Sequence, residues 1–192
     1  MAPLRVVIAE DEAIIRLDLR ETLEEEGYDV VGETGRGDEA VALVKEHEPD
    51  LAILDIKMPG LDGLSAAREI TGERRAAVLI LTAFSQRDLV ERARDAGALA
   101  YLVKPFQRSE LVPAVEVAIG RFREMRALEA EVRGLEDELE IRRVVDQAKG
   151  ILTDRHGLSE ADAFAFVQRH AMAERATMKA TAQRVIDGHL AP

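Results

Sequence analysis

Five short apolar runs recur along the first 120 residues, at Leu4–Ala9, Tyr28–Glu33, Leu51–Asp55, Val78–Thr82 and Ala98–Val103. Three of them, LRVVIA, LAILD and VLILT, are almost unbroken Val, Ile and Leu. That is the pattern of parallel strands buried on both faces. Between the runs, apolar residues return at helical spacing, as in Ile15, Leu19 and Leu23 or Ala40, Leu43 and Val44. Gly27, Gly35, Gly60, Gly63 and Gly97 punctuate the junctions. Strand–helix alternation with short links predicts an α/β domain, a doubly wound parallel sheet of five strands covered by helices on both faces. Polar chemistry in such sheets collects at the carboxyl ends of the strands.

From Leu111 the pattern turns wholly helical. Leu111, Val115, Ala118, Phe122 and Met125 step by 4, 3, 4 and 3, and Leu128, Val132, Leu135 and Leu139 step by 4, 3 and 4. The join between the two sets is one residue short, so the seam is not a perfect heptad. Residues 121–143 are rich in charge, with pairs such as Glu129 and Arg133 at i, i+4. The reading is one continuous helix, acting as a spacer or coiled-coil seam, or else a solvated helix packed on its own chain. Gly134 costs it about 1 kcal/mol relative to Ala and marks a flexible point. The tail reads as further helices broken at Arg155-His156-Gly157, with Gly157 as a C-cap and Ser159 with Asp162 as a capping box. Ala163, Phe164, Val167 and Ala171 are expected on one face, and Met178, Ala182, Val185 and Ile186 on another. The expected domains are 1–120, a helical linker 121–141, and a small all-α unit 142–192. About 50 residues make a marginal core, which favours docking or dimerisation.

Charge separates these parts. The 192 residues carry 26 Lys and Arg against 37 Asp and Glu, for a net charge of −11. Residues 142–192 hold eight Lys/Arg against six Asp/Glu, whereas 1–141 hold 18 against 31. An acidic first part is a poor match for nucleic acid, while the tail is free to meet it. The absence of cysteine excludes disulfides, thiolate metal sites and a thiol nucleophile, and fits a reducing compartment. No apolar run approaches the roughly 18 residues of a membrane span, and the first strand run starts at Leu4, so the expectation is a cytoplasmic chain without a membrane partner.

Glu10 and Asp11 follow the first run and Asp55 closes the third. Those strands are neighbours in the inferred sheet, so the three carboxylates converge. Like charges about 4 Å apart repel by several kcal/mol near a protein surface, and an all-oxygen cluster of this kind suits Mg²⁺. Thr82 ends the fourth run with a hydroxyl, and Lys104 follows the fifth with an ammonium. Carboxylates, a cation, a hydroxyl and an ammonium around one cleft are the equipment of phosphoryl transfer. Taken singly, Glu10 and Asp11 could be helix N-caps, Thr82 a strand residue and Lys104 a surface charge.

The segments VVIAEDE, LAILDIKMPGLDG, LTA and YLVKPF, in that order and spacing, resemble the receiver domain of two-component response regulators over residues 4–120. The resemblance implies a flavodoxin-like strand order of 2-1-3-4-5. It makes Asp55 the phospho-acceptor, a carboxylate nucleophile taking phosphate from the phosphohistidine of a sensor histidine kinase. Glu10, Asp11, Asp55 and the backbone carbonyl of Lys57 would hold Mg²⁺, and Thr82 and Lys104 would bind phosphoryl oxygens. Tyr101 matches the aromatic switch position, and Pro105 would follow a cis peptide bond. The chain would modify only itself and would not be an enzyme for another substrate.

No hydrolase dyad, metal cluster or phosphate loop appears in 142–192, nor a clear DNA recognition helix. The pattern Arg142…Ala148-Lys149-Gly150-Ile151-Leu152, then Ser159-Glu160, Ala163-Phe164 and Arg169…Ala171-Met172, resembles the ANTAR domain of transcription antitermination regulators over about 140–188. The resemblance implies a three-helix module binding paired RNA hairpins, whose loop bases can be read where duplex grooves cannot. Arg142, Lys149 and Arg169 would meet phosphates and Gly150 would allow close backbone approach. Gln168 stands where the family often has a basic residue. Phe164 and Phe166 sit in apolar company, leaving no evident aromatic for base stacking. The leading expectation is a phosphorylation-controlled RNA-binding antiterminator, with the helix from 108 to 143 transmitting the receiver state through a phosphorylation-dependent homodimer or through release of the tail. The alternatives are a protein-interaction regulator without RNA binding and a DNA-binding transcription factor.

Overall fold

A computed structural model describes residues 2–83 and 87–192. Five strands form one parallel sheet in the order β2-β1-β3-β4-β5. They are β1 (Arg5–Ala9), β2 (Asp29–Thr34), β3 (Leu51–Asp55), β4 (Ala77–Thr82) and β5 (Ala100–Val103). Between them lie α1 (Ala13–Glu25), α2 (Gly37–His47), α3 (Gly63–Gly72) and α4 (Arg87–Asp95). The expected five-stranded doubly wound sheet is present.

Every residue of β3 and β4 is buried. Side chains alternate between two cores, as the two-residue period of a strand requires. Val7, Ala9, Ala52, Leu54, Val78 and Ile80 face the core shared with α2 and α3. Val6, Ile8, Leu51, Ile53, Leu79 and Leu81 face the other, with Leu19 and Leu23 of α1 and Leu111, Val115, Ala118 and Phe122 of the next helix. Because both faces need apolar side chains, the central runs show no polar alternation.

That next helix, α5, runs without interruption from Arg108 to His156, a length of 49 residues. Two compact units divide along it, 1–126 and 127–192. The first helix of the C-terminal unit is therefore the end of α5, since the first residue that stops the helix is Gly157, at φ +68. Helices α6 (Glu160–Glu174) and α7 (Met178–Ile186) complete the unit. Ser159 caps α6: its hydroxyl accepts the Asp162 amide at 3.1 Å and donates to the Asp162 carboxylate at 2.6 Å. Thr177 caps α7 by accepting the Ala180 amide at 3.1 Å.

The core of this unit joins Val144, Val145, Ala148 and Leu152 to Ala163, Phe166, Val167, Ala182 and Val185. One expectation is corrected here. Phe166, not Phe164, belongs to the buried face of α6; Phe164 is 43% exposed. Residues 163, 167 and 171 define the buried arc, and at 100° per residue positions 164 and 166 fall at its opposite margins. The apolar pattern alone does not choose between them.

Two glycines hold the loop after β3 by close approach. A Cβ on Gly63 would lie 1.8 Å from the Asp55 carbonyl oxygen, and one on Gly37 would lie 1.9 Å from that of Leu61. Gly72, at the far end of α3, has open space where a Cβ would go. Gly63→Ala should cost about 2 kcal/mol or more in urea unfolding, the scale of overpacking a tight site. Gly72→Ala should be neutral or stabilising by about 0.5–1 kcal/mol. Equal effects of the two would show that the loop yields easily.

Candidate functional site

The carboxyl ends of β1 and β3 are adjacent, with Ala9 paired to Leu54, so the residues just past them share one edge. One carboxylate oxygen from each of Glu10, Asp11 and Asp55 lies within 4.8 Å of the others. Glu10 and Asp55 are buried and Asp11 is exposed. Neither Glu10 nor Asp11 caps α1, whose N-cap is Glu12, with no side-chain capping bond. Helix capping therefore does not explain these acids.

Lys104 is the counter-charge. Its backbone amide donates to the Thr82 carbonyl at 2.7 Å, placing it at the same edge as a continuation of β5. Its ammonium donates to both Glu10 oxygens, Oε1 at 3.1 Å and Oε2 at 2.9 Å. The same nitrogen sits 3.2 Å from Asp55 Oδ1. Lys104 is thus a largely buried bridge between two strands' acids, its side chain 11% exposed. The Lys104–Pro105 peptide is cis.

Burial raises the Glu10 carboxyl above its ordinary value, opposed by the hydrogen bond from Lys104. Burial raises Asp55 likewise against the charge of Lys104, with Asp11 adding repulsion. On Lys104, burial works against the charge, but the hydrogen bond to Glu10 and the field of Asp55 leave the ammonium above its usual value. Two buried carboxylates share one ammonium, and a third carboxylate adjoins them. That excess of negative charge and the all-oxygen donor set fit Mg²⁺. Both Glu10 oxygens accept from Lys104, and Asp55 Oδ1 adjoins the same ammonium.

A cleft of about 500 Å³ opens over this edge, lined by Asp11, Asp55, Lys57, Thr82 and Lys104. Thr82 is buried and Lys57 is exposed. Tyr101, on β5, is 48% exposed. Asp62 caps α3, accepting the Ser65 amide at 3.0 Å, and fixes the helix beyond the Asp55 loop. Asp88, Leu89 and Arg92 of α4 also line the cleft. The sequence reading missed them: α4 packs on the core only through Ala93 and, just beyond it, Ala96, and its start beyond β4 is the signal that could have placed them.

In the C-terminal unit, Arg142, Lys149 and Gly150 lie on α5 and Arg169 on α6. Arg142, Gly150 and Arg169 are exposed. Lys149 donates to Asp146 Oδ1 at 2.9 Å, which lowers the Asp146 carboxyl and raises the lysine. A Cβ on Gly150 would meet nothing within 4 Å, so packing does not require glycine there. His170 is half-buried, with Nδ1 2.9 Å from the Phe166 carbonyl and its ring centroid 4.2 Å from that of Phe166, tilted by 43°.

Removing the bridge exposes the balance. Lys104→Met should destabilise the receiver unit by roughly 3 kcal/mol in EDTA at neutral pH, because it strands buried carboxylates. The raised carboxyls of Glu10 and Asp55 mean the folded state holds protons that the unfolded state has lost. Stability of the variant should therefore fall as pH rises through and above the ordinary carboxylate range of about 4. Mg²⁺ should restore it at neutral pH. A variant as stable as the parent, with no Mg²⁺ response, would remove the bridge from the electrostatic account.

A family model for the response regulator receiver domain matches residues 6–116, and one for the ANTAR domain matches residues 133–186. The transcriptional regulatory protein PdtaR of Mycobacterium tuberculosis H37Rv is 60% identical over 185 residues, spanning 96% of this chain and 90% of that protein. The chemotaxis protein CheY of Bacillus subtilis is 38% identical over 58% of this chain and 93% of its own. The receiver domain of the response regulator NarL of M. tuberculosis superposes with a TM-score of 0.60 at 33% identity, covering 62% of this chain and 98% of that one. CheY of Borrelia burgdorferi, solved with CheX, beryllofluoride and magnesium, superposes at 0.57 with 28% identity over 59% of this chain and 87% of its own. Among the described residues, no helix is long and apolar enough to cross a membrane. With both family models matched in sequence and the acidic edge in place, the chain belongs to the response regulators that join a receiver domain to an ANTAR domain.

Proposed function

We propose that a sensor histidine kinase phosphorylates this chain on Asp55, and that the modified receiver controls RNA-hairpin binding by the ANTAR unit in transcription antitermination. The observation that carries the reading is the Lys104 bridge between Glu10 and Asp55 at the mouth of the cleft. An Asp55 oxygen attacks the phosphorus of the phosphohistidine, the P–N bond breaks, and the imidazole leaves with the electron pair. Asp55 is acceptor and carrier at once, so the chain acts on itself alone. Asp11, Asp55 and the Lys57 carbonyl would hold Mg²⁺, with Glu10 adding charge, and the ion when bound supplies neutralisation of the phosphoryl oxygens. The pairing of beryllofluoride with magnesium on the Borrelia CheY complex supports that assignment.

The phosphoryl group brings nearly two negative charges and three acceptor oxygens. The Lys104 ammonium redistributes from Glu10 toward them, and the Thr82 hydroxyl turns inward. The half-exposed Tyr101 ring then has room to move toward β4. Phosphate biases an existing equilibrium only by its different contacts in the two states, on the order of 1–3 kcal/mol. A phosphorylation-dependent homodimer on the face around β4 and β5 would bring two ANTAR units to paired hairpins.

For the RNA, Arg142 and Arg169 offer exposed guanidinium groups. Lys149 is held by an exposed ion pair with Asp146, a contact worth at most about 1 kcal/mol that phosphate can displace. Phe164 provides the accessible aromatic that the sequence pattern did not reveal, and base stacking on such a ring contributes about 1–3 kcal/mol. Gly150 leaves the helix backbone open to close approach.

Acetyl phosphate with Mg²⁺ should add one phosphoryl mass to the parent and none to Asp55→Ala. In gel shifts with tandem hexaloop hairpins, phosphorylation should tighten the parent at least tenfold and leave Asp55→Ala unchanged. Phosphoryl uptake by Asp55→Ala would move the acceptor elsewhere. Separately, Gly150→Ala should stabilise the helix by about 1 kcal/mol yet weaken RNA binding severalfold, and Lys149→Ala should weaken it in either phosphorylation state. Unchanged affinity in both variants would take RNA contact away from this face of α5.

A further inference from the structure

The middle of α5 carries the largest unpartnered apolar stripe among the described residues. Leu128, Val132, Leu135 and Leu139 are 62%, 53%, 56% and 66% exposed. Their 4-3-4 spacing aligns them along one side of the helix as d, a, d and a of a heptad. Alternating a and d residues of this kind pack as knobs against a second helix, and none of α5, α6 or α7 supplies one, because the core of this unit begins at Val144.

The flanks of the stripe decide what can cover it. In this register the e positions are Glu129 and Glu136 and the g positions are Glu131 and Glu138. Between Leu128 and Leu139 every e and g position is therefore a glutamate, and the next e position is Arg143. Between Leu128 and Glu140 the one cation is Arg133, on the outer face. A second copy packed in parallel sets Glu131 against Glu136 of that copy, and only Glu138 finds a cation, Arg143. Packed antiparallel, Glu131 meets Glu138 and Glu129 meets Glu136. Facing like charges at these positions disfavours the pairing, whereas facing opposite charges sets partner choice. An RNA phosphate chain is repelled by the same border.

We propose that this stripe is a docking surface for a cationic amphipathic helix of another protein, one presenting Leu-type residues at a and d and Lys or Arg at e and g. Four exposed apolar side chains give the attraction, and the glutamate borders select the partner and reject a second copy. The site lies outside the acidic cleft and outside the residues assigned to RNA, so it adds a protein partner to a regulator whose other contacts are a kinase and RNA.

Two synthetic helical peptides test this on the full chain. One has Leu at a and d with Lys at e and g; the other is identical but with Glu at e and g. In fluorescence anisotropy at 0.1 M salt, the cationic peptide should bind at least tenfold more tightly than the acidic one. The variant Leu135→Ser/Leu139→Ser alters only exposed side chains, so circular dichroism should show it folded, and it should lose the cationic peptide. Glu131→Lys/Glu138→Lys should shift preference toward the acidic peptide. Binding that survives Leu135→Ser/Leu139→Ser is mere charge adsorption and overturns the proposal, as does equal binding of the two peptides. So does self-association of the unphosphorylated parent, in sedimentation at micromolar concentration, that Leu135→Ser/Leu139→Ser abolishes, since a second copy then owns the stripe.

Discussion

The receiver unit turns on one ammonium shared by two buried carboxylates. Lys104 links the ends of β1, β3 and β5 through Glu10 and Asp55, and its backbone amide ties it to Thr82 at the end of β4. A buried ion cluster of this kind contributes little net stability, because desolvation of each charge offsets most of the attraction. Its value is poise. The ammonium has two partners at comparable distance, so a change of charge at Asp55 alters how it is divided between them. A fully solvated lysine would be screened from that change. Burial keeps the coupling strong and also raises both carboxyls, at an edge where three carboxylates meet one ammonium.

Such poise is useful only if the backbone does not absorb the change. The loop after β3 is held on three sides. Gly63 lets α3 begin against the Asp55 carbonyl, Gly37 lets α2 begin against the Leu61 carbonyl, and Asp62 caps α3 through Ser65. Side chains at either glycine would push Asp55 and the Lys57 carbonyl away from Asp11. Close backbone packing at the loop and buried charge at the strand ends together fix where the Asp55 carboxylate sits.

Much of this was legible in the residues. Unbroken Val/Ile/Leu runs reveal strands buried on both faces, and acids placed just after them reveal the edge where chemistry gathers. The double grip of Lys104 was not legible, since a lysine after a strand reads equally as a surface charge until the sheet order is known. The α4 residues in the cleft were hidden because their location depends on the order of strands in the sheet. Phe164 and Phe166 were exchanged because they flank the same buried arc, and only packing against α5 and α7 tells them apart. The pairing of Lys149 with Asp146, three residues earlier, follows from helix geometry and could have been read directly.

The length of α5 has a physical consequence of its own. Gly120, Gly134 and Gly150 each lie in open space, without a positive φ, so each weakens the helix by about 1 kcal/mol relative to Ala and none is required by packing. The helix endures because its ends are buried in separate cores, Leu111 to Phe122 in one and Val144 to Leu152 in the other. Residues 131–140 are exposed on every side. Tertiary support of that stretch is slight, with Glu140 at its end paired to Lys179 of α7 at 2.7 Å. Local opening free energy is lowest where buried contacts are fewest. Whatever covers Leu128 to Leu139 therefore also stabilises the helix itself by binding its folded form. Covalent continuity alone would make α5 a passive tether; the proposed occupant, by binding the helical form, would stiffen the stretch where buried contacts are fewest.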